Sequence, residues 1–228
     1  MPPPSTSQSA LRFPLSAIFS SEGNVRVLRE LFRHGGELSA PSIAKRVGLS
    51  RQHTTRILRG LAALEVVESV GVGGHPSHRA RRIHPLYAVL DGLFHVEAQR
   101  FGEIADAIRT AARADPPPEA VWLYGSVARR EDTPGSDVDV AVVIPGGDMA
   151  VDRAADEIRE RLARSEETLG FSASVVAISL DDVLRLSAGD SWWTNVTREA
   201  IALDGPDPAQ LAAHMRRKQN RQGTSERP

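Results

Sequence analysis

Between Val121 and Ile144 the chain reads VWLYGSVARREDTPGSDVDVAVVI. Two apolar runs, Val121–Tyr124 and Val138–Ile144, flank a polar loop that carries Arg129, Arg130, Pro134, Gly135 and Ser136. Gly125-Ser126 follows the first run, and after ten intervening residues Asp137-Val138-Asp139 leads into the second. Side chains alternate faces along a strand, so Asp137 and Asp139 are expected on one side, about 7 Å apart along the backbone. Two carboxylates on one rigid edge suit hard divalent cations, which take oxygen ligands. Gly125 lets backbone approach a phosphate closely, and Ser126 is expected to open a short helix whose unpaired amides attract anions. The alternative is a hairpin with a solvated acidic start, but aspartates are depleted in strands, so the pair calls for a reason.

Gly125, Ser126, Asp137 and Asp139 resemble the GS…DxD signature of the polymerase-β-like nucleotidyltransferases. The compact spacing and the SDVDV ending look like the minimal nucleotidyltransferases, over residues 101–205. The resemblance implies a small α/β palm, two bound Mg²⁺ ions, and transfer of a nucleoside monophosphate from an NTP to a hydroxyl with release of pyrophosphate. Asp137 and Asp139 would be the catalytic metal ligands. Gly125, Ser126, Arg129, Arg130 and Ser136 would hold the nucleotide. Members of the family carry a third carboxylate on a later strand; here that strand is expected at Phe171–Ile178, and the matching position is Ser174. Asp181 and Asp182 lie past the strand end as helix caps, and Glu166 and Glu167 lie before it. Arg130 stands where the family often has glycine. Minimal nucleotidyltransferases of bacterial toxin–antitoxin pairs modify a partner protein or an RNA, so the resemblance implies a macromolecular acceptor, with a small molecule as the aminoglycoside-modifying alternative.

The rest of the chain is charged differently. Residues 1–100 hold 13 Lys+Arg against 7 Asp+Glu, a net of +6, and residues 101–228 hold 15 against 22, a net of −7. A basic half attracts polyanions. Within it, helical spacing predicts helices at Asn24–His34, at Ala40–Val47 behind a Ser39 cap, and at Arg51–Leu64 behind a Ser50 cap, with Gly48 turning the chain between the last two. Strands are expected at Val66–Val72 and Ala80–Ile83, joined by a Gly73–Ser77 turn. The stretch Gly35–Ile83 resembles the winged helix-turn-helix of MarR- and ArsR-type regulators. The resemblance implies DNA binding: Arg51, Gln52, His53, Thr55 and Arg56 reading bases, and Arg79, Arg81 and Arg82 gripping phosphates from the wing. A protein-interaction role with solvated arginines is the alternative. His75 and His78, the closest histidine pair, are expected on the surface rather than on zinc.

The expected fold class is α+β. Residues 1–15 form a disordered N-terminus, 16–84 the winged helix-turn-helix, 85–115 a linking helix that serves a homodimer, 116–205 the nucleotidyltransferase domain, and 206–228 a flexible basic tail. A last helix is expected at Trp192–Leu203, with Trp192 and Trp193 packed on the sheet or stacked on a base. Zero cysteines exclude disulfides, thiolate zinc sites and cysteine nucleophiles. No apolar run approaches a membrane span, and a cytoplasmic setting is expected. Two readings follow. One is a DNA-binding, Mg-dependent nucleotidyltransferase with a protein or RNA acceptor, such as a toxin partner. The other is a nucleotide-sensing regulator without turnover, for which the serine at position 174 speaks.

Overall fold

Three serine caps set the helices of the N-terminal half. Ser21 Oγ accepts from the Asn24 amide, Ser39 Oγ from Ser42 and Ser50 Oγ from His53. Each supplies an acceptor to a first-turn N–H that the helix itself leaves unpaired. The resulting helices are α2 (Glu22–His34), α3 (Ala40–Val47) and α4 (Arg51–Ala63), preceded by a short α1 (Pro14–Ile18). Gly48 ends α3 at φ 68°, a left-handed conformation that a side chain would strain, and so turns the chain into α4. The structure, a computed structural model, describes residues 9–71, 76–113 and 117–225, with side chains as far as residue 221. The chain divides into two compact units, Met1–Gln99 and Arg100–Pro228.

In the first unit a three-stranded antiparallel sheet is ordered β1 (Leu38–Ser39), β3 (Ser77–Ala80), β2 (Val67–Val70). Val67 pairs with Ala80 and Val70 with Ser77. The strands are therefore displaced from the expected ones: the second ends at Ala80 because Arg81 only donates to Val66 O before the chain turns away. The expected Gly73–Ser77 turn, and with it His75, falls largely outside the described residues. Ile18, Leu28, Leu31, Ile43, Leu58 and Leu61 fill the core between helices and sheet. Buried Glu30 accepts from Arg33 at 2.6 Å and from Arg46 at 3.1 Å, which ties α2 to α3.

Helix α5 (Tyr87–Ala111) is the expected long helix, shared between the units rather than set apart from them. Leu90 and Phe94 join the first core; Ile104, Ala105 and Ile108 join the second.

The second unit is built on a four-stranded sheet ordered β6 (Ala173–Ser179), β5 (Val138–Ile144), β4 (Ala120–Tyr124), β7 (Ile201–Asp204). β4 is antiparallel to β5 and to β7, and β5 is parallel to β6. A parallel pair needs a crossover, supplied by α7 (Asp148–Leu169). The alternation of β5 splits the core in two. Val138, Val140, Val142 and Ile144 face α5 and α7; Ala141 and Val143 face the side of α8 (Leu180–Leu186), α9 (Ser191–Glu199) and α10 (Pro208–Ser225). Asp182 and Ser179 form a reciprocal capping box at the start of α8, as expected of an aspartate there.

Two elements differ from expectation. The helix starting near Trp192 stops at Glu199, and Ile201–Asp204 pairs with β4 as a fourth strand. An unpaired β4 would expose a row of backbone donors and acceptors, and β7 satisfies them. The tail, expected to start helical and then turn polar and flexible, is helix α10 as far as Ser225, anchored by Leu211 and Ala212, which are 3% and 4% exposed.

Candidate functional site

β4 ends at Tyr124 and the chain passes directly into α6 (Gly125–Arg129). Gly125 sits at φ 75°, and a Cβ there would lie 2.1 Å from Asp139 Oδ2. Any other residue would collide with the carboxylate and strain the backbone, so glycine is needed for two independent reasons. Tyr124 is the register partner of Asp139, which brings the turn and the acid together. Asp137 precedes the strand by one residue and is exposed; Asp139 is half-buried. By alternation both lie on the side of the sheet that holds α8, α9 and α10.

The sequence reasoning missed Glu199. Its side chain is 7% exposed at the end of α9, with Oε1 accepting from the Gly125 amide at 3.1 Å and Oε2 from Arg129 Nη1 at 2.8 Å. A signal for it exists. Trp193 and Val196 point inward, and helical spacing places Glu199 on the same stripe. An acid on a buried face at a helix C-terminus opposes the helix dipole and needs a partner. The expected helix ran on to Leu203, which hid this position.

Ser174 pairs with Asp139 in parallel register, so it does face the acid pair, without a carboxylate. Glu166 is committed elsewhere, accepting from the Ala173 amide at 2.7 Å. Arg129 also donates through Nε to Glu131 at 2.8 Å and is thus paired twice rather than open to a phosphate. Arg130 is exposed and caps α6 at φ 59°. Ser136 is occupied inside the loop, its hydroxyl accepting from the Thr133 amide at 2.9 Å. Trp193 is packed in the core, and Trp192 meets Tyr124 edge-on at 5.6 Å.

Burial pushes the Asp139 carboxyl above its ordinary value. The negative charge of Asp137 adds to this, Arg129 opposes it and Glu199 adds again. Such a site gains from a bound cation. Among the described residues no group of three or more His, Cys, Asp or Glu is arranged to hold a metal. Two carboxylates fit magnesium nonetheless, because that ion commonly takes one or two protein carboxylates and completes its shell with phosphates and water.

In the first unit Arg51, Gln52, His53 and Arg56 are exposed on α4 and Thr55 is half-buried, all near its N-terminal end. Arg79 is committed to Glu68 at 2.6 Å and to Glu37 at 3.3 Å, and Arg81 to Glu65 at 2.8 Å. Arg82 is exposed, with no ion pair among the described residues. Pairing two of the three arginines within the unit reduces what the sheet side offers a phosphate.

Residues 105–179 match the family model of the nucleotidyltransferase domain. The match spans Gly125, Ser126, Asp137 and Asp139 and supports such a domain in the second unit. No curated protein matches. A solved toxin–antitoxin structure with AMP-PNP is 18% identical, covering 54% of this chain and 90% of that one at a TM-score of 0.32. A mutant of the toxin–antitoxin MntA-HpeT is 17% identical over 54% and 90%, at 0.33. Human N-acetylserotonin methyltransferase with SAM is 19% identical over 48% and 37%, at 0.22. Likenesses of this size carry no argument about function. Among the described residues no helix is long and apolar enough to cross a membrane.

Proposed function

We propose that the second unit binds a magnesium-chelated nucleoside triphosphate and transfers its nucleoside monophosphate to a hydroxyl, releasing pyrophosphate. The observation that carries this is the packing of Asp139 against Gly125, which joins the acid pair to the glycine–serine turn inside the matched stretch. Asp137 and Asp139 would hold the metal, and the turn after Gly125, with Ser126 and Arg130, would face the phosphates. Magnesium would supply charge neutralisation at the reacting phosphate. The resemblance of the compact motif to minimal nucleotidyltransferases favours a macromolecular acceptor, a protein or an RNA. Label transfer from α-labelled ATP, CTP, GTP or UTP, dependent on magnesium and abolished by Asp137→Asn, is the expected result.

A second reading has an observation of its own. Ser174 stands opposite Asp139 where a carboxylate base would serve. On that reading the unit binds nucleotide without turnover and shifts the behaviour of the first unit, which requires two states with different affinity for the nucleotide. Magnesium-dependent binding with no pyrophosphate released would select it.

The first unit is read as a winged helix-turn-helix that binds DNA through α4. The order α3, glycine turn, α4, antiparallel hairpin supports this, as do the exposed Arg51, Gln52 and Arg56. Val89, Leu93 and Val96 are 68%, 51% and 64% exposed along α5, which supports a homodimer through that helix. Sedimentation showing only a 24.7 kDa species at micromolar concentration would remove the dimer.

A further inference from the structure

The donors nearest the acid pair are already taken. Arg129 spends Nε on Glu131 and Nη1 on Glu199, both at 2.8 Å, while the Gly125 amide is spent on the other oxygen of Glu199. Glu131 is 65% exposed and is readily displaced, whereas Glu199 is 7% exposed. Withdrawing Arg129 from Glu199 would leave a buried carboxylate without its cation, which is strongly unfavourable. Arg198 does not replace it, since its guanidinium stays 3.9 Å away and 68% exposed. The stretch Gly125–Asp139 carries two arginines against four carboxylates, a net of −2. At contact distances such charges act strongly even where solvent partly screens them.

We infer that Glu199 determines specificity for the metal-chelated form of the nucleotide: by neutralising Arg129 and occupying the Gly125 amide, it makes the turn reject a free triphosphate. A free triphosphate brings several negative charges to a site that is already negative and whose guanidinium is masked. The same triphosphate with a divalent cation brings the charge that Asp137 and Asp139 bind. Glu199 thus couples phosphate binding to metal binding without ligating the metal. This inference rests on the nucleotide-binding reading of the site.

The test compares dissociation constants of one nucleotide in magnesium and in EDTA, by calorimetry, using whichever of ATP, CTP, GTP or UTP binds the wild-type chain with magnesium. Wild type should bind in magnesium and at least tenfold more weakly in EDTA. In Glu199→Gln, which keeps the size and one acceptor, binding in EDTA should strengthen and the ratio of the two constants should fall at least tenfold. Glu199→Asp retains the charge and should retain most of the ratio. A purely structural role would weaken both arms alike and leave the ratio in place. Glu131→Gln leaves the Glu199–Arg129 pair in place and should leave the ratio within threefold of wild type; a larger fall would place the masking on Glu131 and overturn the inference. A ratio that moves by less than threefold in folded Glu199→Gln also overturns the inference. A wild-type chain that binds no nucleotide with magnesium overturns the reading beneath it, and the inference falls with it.

Discussion

Arg130 holds φ at 59° as the cap of α6, a left-handed conformation that costs a residue with a side chain roughly 1–2 kcal/mol. Glycine there loses some of the gain through its freer unfolded state, so Arg130→Gly should stabilise the protein by about 0.5–1 kcal/mol in urea denaturation; a loss of stability would show that Arg130 makes a compensating contact. Gly125→Ala meets the opposite situation. Its Cβ would fall 2.1 Å from Asp139 Oδ2 at φ 75°, and a loss of roughly 2–4 kcal/mol is expected, with nucleotide binding lost as well. A folded alanine variant of wild-type stability would contradict the described turn. At this scale the sequence was informative for residues whose chemistry is local. Gly125, Asp137 and Asp139 stand in one short stretch, and strand alternation alone puts the acids on one face. Glu199 was not legible in the same way, because its partners lie 74 and 70 positions earlier in the chain.

α3, between Ser39 and Gly48, was read to both ends from sequence, whereas α2 starts two residues before the expected Asn24, behind a Ser21 cap. Elements fixed by distant packing were not read correctly. β7 is a four-residue strand of the sequence IALD that forms because β4 offers it an edge, and α10 persists because Leu211 and Ala212 enter the core. Composition pointed the other way, since residues 216–221 are RRKQNR. Leu211→Ala should therefore cost about 2–4 kcal/mol in denaturation, where a flexible tail would register nothing. The sheet of the first unit makes a pH prediction. His78, 9% exposed on β3 and bonded to Ser69 Oγ at 3.2 Å, is pushed by burial below its ordinary value of 6.5. A folded value below the unfolded one means that its stabilising effect is complete above about pH 6.5 and is lost as the pH falls below that. The unfolding temperature should drop between about pH 7 and about pH 5.5, and His78→Gln should flatten that dependence; an equal slope in the variant would contradict it.

The whole chain joins a half of net charge +6 to a half of net charge −7, and this asymmetry is what composition alone conveys about function. If α4 meets DNA, the basic half should give steeply salt-dependent binding, and Arg51→Ala with Arg56→Ala should weaken it. Each arginine that meets a phosphate should reduce the slope of log K against log salt by roughly 1. An affinity unchanged in the double variant would put the contact elsewhere. On the proposed reading, the acidic half needs a cation before it can hold a triphosphate. The most direct measurement is a calorimetric titration of the full chain with each of the four ribonucleoside triphosphates in magnesium, repeated with Asp137→Asn and Asp139→Asn together. The account predicts saturable binding of at least one nucleotide, lost in the double variant while its fold is retained. Flat titrations with all four, or binding that survives the loss of both acids, would contradict it.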